Sequence, residues 1–301
     1  MIQTPLLEVT GLSIDYVLPH QTKRAVQGVS FQVHEDEVFG LVGESGSGKS
    51  TLCFGLMNMI PPPGRITAGQ VMFNGHDLLA LSGEELRQVR WSELAYIPQG
   101  AMSSLNPVAR IYDQFADTIK DHEGKQPRDQ IRQRIREALE QVSLPFDVAG
   151  CFPHQLSGGM KQRVCIALGV ILNPKLLLAD EPTSALDVIS QRVVLEMLSQ
   201  VRQNLKASII LIGHDMSLQA QVADRLGILY GGKFMEIGSV TEIFNNPLHP
   251  YTQRLISSIP SIHKKQNISS LAQKGLSEAE KQVYLNSTEL REVCSGHFVA
   301  V

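Results

Sequence analysis

The sequence predicts an α/β fold with a mainly parallel sheet, and three observations point to it. First, Gly43-Glu44-Ser45-Gly46-Ser47-Gly48-Lys49-Ser50 reads G-x-x-x-x-G-K-S. It stands between a short apolar run, residues 38–42, and a stretch able to open a helix, residues 51–57. Second, two further apolar runs end in polar residues. Leu176-Leu177-Leu178-Ala179 leads into Asp180-Glu181, and Ile209-Ile210-Leu211-Ile212 leads into Gly213-His214-Asp215. In open parallel sheets, ligands sit beyond the carboxyl ends of such strands. Third, residues 100–160 change character and read as an inserted helical subdomain.

The glycine-rich loop carries the strongest chemical signal. Its glycines let successive backbone N–H groups turn inward, and the following helix adds a partial positive charge. Lys49 is placed to reach β- and γ-phosphates, and Ser50 to set its hydroxyl on Mg²⁺. Residues Gly43, Glu44, Ser45, Gly46, Ser47, Gly48, Lys49, Ser50 and Thr51 are therefore the expected nucleotide-binding segment.

Composition bounds the alternatives. The chain has 301 residues, 43% of them hydrophobic, enough for one large domain or two modest ones. A net charge of -3 gives no footprint for nucleic acid. No apolar run is long enough to cross a bilayer, and the start lacks the basic and apolar regions of a signal peptide. The expectation is a cytoplasmic chain. Cys53, Cys151, Cys165 and Cys294 are scattered without a C-x-x-C, which reads as reduced thiols rather than a metal centre.

The elements follow in order. Residues 6–9, 12–16 and 25–33 read as short strands of an N-terminal antiparallel β subdomain. Tyr16 is open between a base-stacking aromatic and a core residue. Pro61-Pro62-Pro63-Gly64 breaks the helix after the loop. Residues 69–75 read as a strand entering a turn. Ser82 and Glu85 form a capping box. Residues 94–97 make a strand, and Gln99 at its end reads as a Mg²⁺ ligand, a nucleotide sensor or a plain loop residue. From Arg128 to Val142, Ile131, Ile135, Leu139 and Val142 form one apolar stripe. Ser157-Gly158-Gly159 opens another helix, as a second anion site or as an N-cap and tight turn. Asp180 is placed to hold Mg²⁺, Glu181 to orient or deprotonate a water, and His214 to meet a γ-phosphate.

Together these residues resemble an ATP-binding cassette (ABC) ATPase. The ordered set is the P-loop, Gln99, Leu156-Ser157-Gly158-Gly159-Met160, the strand ending at Asp180, Glu181 and His214. Ser184-Ala185-Leu186-Asp187 resembles the family's D-loop, so Asp187 joins the implied site. The resemblance implies a P-loop NTPase core of the RecA-like type, with ATP and Mg²⁺ as ligands. It also implies head-to-tail pairing, each ATP lying between one P-loop and the other subunit's Ser157-Gly158-Gly159.

Ser104-Leu105-Asn106-Pro107, Ala223-Asp224-Arg225 and Asn246-Pro247-Leu248-His249-Pro250-Tyr251-Thr252-Gln253-Arg254-Leu255 are similar to the dipeptide/oligopeptide permease ATPases. The resemblance spans residues 6–260 and leaves 261–301 as a shortened family tail. It implies an importer subunit at the cytoplasmic face of the membrane, working on peptides, nickel chelates or oligosaccharides. The implied partners are two permease subunits, an extracytoplasmic binding protein and a second, non-identical ATPase. Tyr16 becomes the adenine-stacking residue, the helical insert the permease dock, and Gln99 the link between that insert and ATP.

Two departures are visible. Many members have Gln-Asp-Pro where this chain has Gln99-Gly100-Ala101-Met102. Many also carry a C-terminal cysteine cluster, whereas here Cys294 alone lies beyond residue 260, so no metal is carried over. The alternatives are a soluble ABC protein acting on ribosomes or DNA, and a P-loop kinase. One cassette, no basic tract and no long heptad run argue against the first. Glu181 and the signature argue against the second.

Overall fold

The computed structural model describes residues 4–184, 186–259, 283–284 and 289–301. The chain opens with β1 (Leu7–Leu18) and β2 (Gln21–Val33), then β3 (Val38–Val42) and α1 (Lys49–Leu56). β4 (Gly64–Phe73), β5 (His76–Asp77), α2 (Gly83–Val89) and β6 (Leu94–Ile97) follow. Between Gly100 and Leu156 there is no strand; α3 (Ile111–Glu123) and α4 (Arg128–Gln141) dominate. Next come α5 (Gly158–Val170), β7 (Leu176–Asp180), α6 (Val188–Leu205) and β8 (Ser208–Gly213). α7 (Met216–Gln219), β9 (Arg225–Tyr230), β10 (Lys233–Ser239), α8 (Val240–Asn245) and α9 (Pro250–Ser257) lead to a hairpin of β11 (Leu290–Cys294) and β12 (His297–Ala300).

The chain divides into two compact units. One is built from the segment up to Leu7, Val33–Val38 and Met72–Ile212. Its strands β6, β7 and β8 run parallel, with Leu94 beside Leu176 and Leu176 beside Ser208. All of β6 and β7 is buried, as expected of parallel strands covered on both faces. The other unit is built from Glu8–Gln32, Phe39–Val71 and the chain from Gly213 onward. There β3 runs parallel to β9, and β10, β12 and β11 extend β9 antiparallel. The N-terminal sheet has the order β2-β1-β4-β5.

Three local expectations change. The two short strands at residues 6–16 are one, because Gly11 takes φ 60 without ending the pairing; its N–H donates to Ser30 Oγ (2.9 Å). The stop of α1 is not set by the prolines. Asn58, in the left-handed region at φ 50, closes a Schellman motif: Met59 N donates to Phe54 O (2.8 Å) and Asn58 N to Gly55 O (3.0 Å). The tail beyond 261, read only as polar, ends in strands: β12 pairs with β10 through Glu236 opposite Val299. The Ser82–Glu85 capping box and the α4 stripe form as expected, with Ile135, Leu139 and Val142 fully buried.

Candidate functional site

The P-loop is carried by β3, whose five residues are all buried. Gly48 caps α1 at φ 106, ψ 2, with no side-chain hydrogen bond to the helix N-terminus among the described residues. A Cβ on Gly48 would lie 2.5 Å from the Ala25 carbonyl oxygen, so the turn is built for glycine. The N–H groups of a helix N-terminus are donors suited to an anion. Lys49 is 6% exposed and lies along the loop, its Nζ donating to Gly43 O (2.7 Å) and Glu44 O (2.9 Å). Ser47 Oγ is buried with no hydrogen-bond partner among the described residues. A helix end without a side-chain cap, an ammonium and a buried hydroxyl without a partner among the described residues fit a polyphosphate.

The same unit holds Tyr16 and His214. Tyr16 is half-buried, with its hydroxyl 3.5 Å from Thr51 Oγ1, beside the first turn of α1. His214 lines a cavity of about 320 Å³ together with Gly43, Glu44 and Leu255. Asp215 fixes the turn that presents it, its Oδ1 accepting from Ser217 N (2.9 Å) and Leu218 N (3.0 Å). Sequence reasoning missed Tyr251, which is fully buried in one apolar cluster with Val42, Leu226 and Ile228. Burial pushes its phenol well up, and the neighbouring Glu44 carboxylate adds to the effect. The Asn246–Leu255 motif thus packs an aromatic ring against the P-loop.

The other unit gathers the acidic residues. Asp180 closes β7 at 2% exposure, and Tyr96 OH donates to its Oδ2 (3.2 Å). Glu181 takes φ 46, in the left-handed region, and its N–H donates to Ile212 O (3.0 Å). For a residue with a Cβ this conformation costs roughly 1–2 kcal/mol. Such strain clusters at functional sites. Gln99 Nε2 donates to Glu181 Oε2 (2.8 Å), which joins two residues 82 apart in sequence. That bond uses the Gln99 amide nitrogen and leaves its amide oxygen as the acceptor atom. Within this unit the Gln99 amide and the Asp180 carboxylate offer oxygen donors, the kind Mg²⁺ takes.

Ser157 caps α5, its Oγ accepting from Met160 N (3.3 Å), so the cap reading is met there; the anion reading uses the remaining N–H groups of Gly158 and Gly159. Asp187 caps α6 and accepts from Ile189 N (3.1 Å), Ser190 N (3.0 Å) and Ser190 Oγ (2.7 Å). The Ser190 hydrogen bonds hold its carboxyl below the usual range. Beside it, Val188 and Ile189 are 77% and 78% exposed. Thus the structure joins Gln99 to Glu181, Tyr16 to Thr51, and His214 to the P-loop.

The sequence and the fold are similar to those of known proteins. The ABC transporter family matches residues 26–184, and the C-terminal region of oligopeptide/dipeptide transporters matches residues 235–283. The dipeptide transport ATP-binding protein DppD of Caldanaerobacter subterraneus is 42% identical over 259 residues, covering 86% of this chain and 79% of that protein. The oligopeptide transport ATP-binding protein OppD of Bacillus subtilis is 42% identical over 262 residues, covering 86% and 73%. The solved dimer of the ATP-binding cassette MJ0796, bound to ADP and Pi, superposes with a TM-score of 0.69 at 25% identity, covering 78% of this chain and 98% of that one. The chain belongs to the ABC transporter family of ATP-binding proteins, in the branch with the oligopeptide/dipeptide transporter C-terminal region.

Proposed function

We propose that this chain is the ATP-hydrolysing subunit of an importer for peptides or a related solute. The observation that carries the reading is the 2.8 Å hydrogen bond from Gln99 to Glu181, beside the buried Asp180. The relatives' names add the solute class: dipeptides for one, oligopeptides for the other.

In this reading residues 6–260 are the ATPase domain and residues 100–160 its helical insert. The loop from Gly43 to Thr51 binds the phosphates, with Lys49 exchanging its two carbonyl partners for phosphate oxygens. Tyr16 stacks on the adenine. Ser50, Gln99 and Asp180 hold Mg²⁺, which when bound neutralises phosphate charge and polarises the bond to be cleaved. Glu181 accepts the proton of the attacking water, and Gln99 holds that carboxylate in place. His214 donates to the γ-phosphate from its place in the cavity beside Gly43. Ser157, Gly158, Gly159 and Asp187 meet the ATP of a second, non-identical ATPase. Two permease subunits and an extracytoplasmic binding protein complete the importer. The chain works at the cytoplasmic face; no helix among the described residues is long and apolar enough to cross a membrane.

Affinity purification of the chain from detergent-solubilised membranes tests the assignment. Two polytopic permeases and a second ATPase are expected to co-purify. Recovery alone, or with ribosomes or nucleic acid, would contradict it.

A further inference from the structure

The C-terminal hairpin brings together side chains that the ATPase reading does not use. β11 and β12 pair Cys294 with His297 across a turn in which Gly296 takes φ 79. Glu242, on α8, faces them. One ligand atom from each of Glu242, Cys294 and His297 lies within 4.8 Å of the others.

Each donor is already oriented. Glu242 Oε2 is held by its capping box, accepting from Ser239 N (2.9 Å) and Ser239 Oγ (2.8 Å). Its other oxygen, Oε1, lies 3.8 Å from Cys294 Sγ. His297 is 1% exposed, and its Nε2 meets Glu236 Oε1 at 2.7 Å. Glu236 is fully buried and also accepts from Leu248 N (2.9 Å) and His249 N (3.0 Å). With Nε2–H donated to that carboxylate, the ring lone pair falls on Nδ1. A carboxylate behind a histidine is the arrangement that orients metal-binding imidazoles. Gly238 lies against the His297 ring and Glu242: a Cβ there would lie 3.0 Å from His297 Cδ2 and 3.4 Å from Glu242 Oε2.

We propose that Glu242, Cys294 and His297 bind one borderline divalent cation of the zinc class, which clamps the C-terminal hairpin to α8. Carboxylate, thiolate and imidazole are the mixed oxygen, sulfur and nitrogen donors such ions take. At metal–ligand distances of about 2.0–2.3 Å, tetrahedral ligand atoms stand roughly 3.3–3.8 Å apart, so closing the site needs only small side-chain shifts. Binding displaces the Cys294 thiol proton to solvent. The two anionic ligands then balance the charge of the ion. Cys294 is exposed, so water takes the fourth position. With one cysteine, the site is not the cysteine cluster of other peptide-permease ATPases.

Cobalt(II) titration of the purified full chain tests this. The wild type is expected to take up one equivalent, with a near-ultraviolet sulfur-to-cobalt band and tetrahedral visible bands that zinc bleaches. Cys294→Ser, a change at an exposed position, should lose the near-ultraviolet band. Cys151→Ser should keep it. Glu242→Gln keeps the cap, because glutamine also serves a capping box, and should weaken binding by about 10-fold or more. An unchanged spectrum in Cys294→Ser, or loss of the band in Cys151→Ser, would overturn the proposal.

Discussion

Two helices of this molecule begin at glycine-rich turns, and they are finished differently. α1 starts after Gly48, with a left-handed N-cap and no side chain on the helix end. α5 starts after Ser157, with an extended N-cap whose hydroxyl accepts from Met160 N. The first end has a left-handed glycine cap and no side-chain hydrogen bond, a geometry that suits an anion. The second is closed in part by its own serine. In the proposed assembly this difference has a use. The P-loop binds ATP within one subunit, and the signature helix waits to meet the ATP held by another.

Removing the ammonium should break the first helix end most severely. Lys49→Ala is expected to weaken ATP binding by about 100-fold, the loss of roughly 3 kcal/mol of charge-assisted hydrogen bonding. Fluorescent-nucleotide titration measures it, and unchanged affinity would refute the loop's assignment. Next comes the turn itself. Gly48→Ala forces a Cβ toward the Ala25 carbonyl at φ 106, and should destabilise the fold by about 1–3 kcal/mol in urea titration. Ser157→Ala should do less harm, about 1 kcal/mol from the lost cap, with nucleotide affinity of the isolated chain unchanged. A parallel loss of affinity there would merge the two ends into one function.

The left-handed backbone offers a finer contrast. At Gly48 it suits the residue; at Glu181, φ 46, it does not. Glu181→Gly should therefore stabilise the chain by about 1 kcal/mol while abolishing turnover. A destabilised Glu181→Gly would mean that the Gln99 bond outweighs the backbone strain.

The sequence made the local features readable. The P-loop, the apolar strand before Asp180, the Ser157 cap and the α4 stripe each depend on residues close in the chain, where spacing encodes geometry. The Schellman stop at Asn58 was local as well, but the prolines that follow hid it with a stronger signal. What could not be read depends on topology. Gln99 meets Glu181 only because β6 and β7 lie parallel and adjacent. Tyr251 meets the P-loop segment only because α9 packs on that cluster, and the Asn246–Leu255 motif names no partner. Glu236 shows no pattern in β10, yet it takes the backbone of Leu248 and His249 and the ring of His297. The positive φ of Glu181 has no sequence signal, since glutamate is not a residue that favours it.

The most direct test measures ATP binding and phosphate release in one protein, Glu181→Gln. Glutamine keeps the size of the side chain and removes its basicity. ATP binding is expected near the wild-type level, with turnover lower by roughly 10²–10⁴-fold, as loss of a general base requires. Wild-type turnover in Glu181→Gln would contradict it.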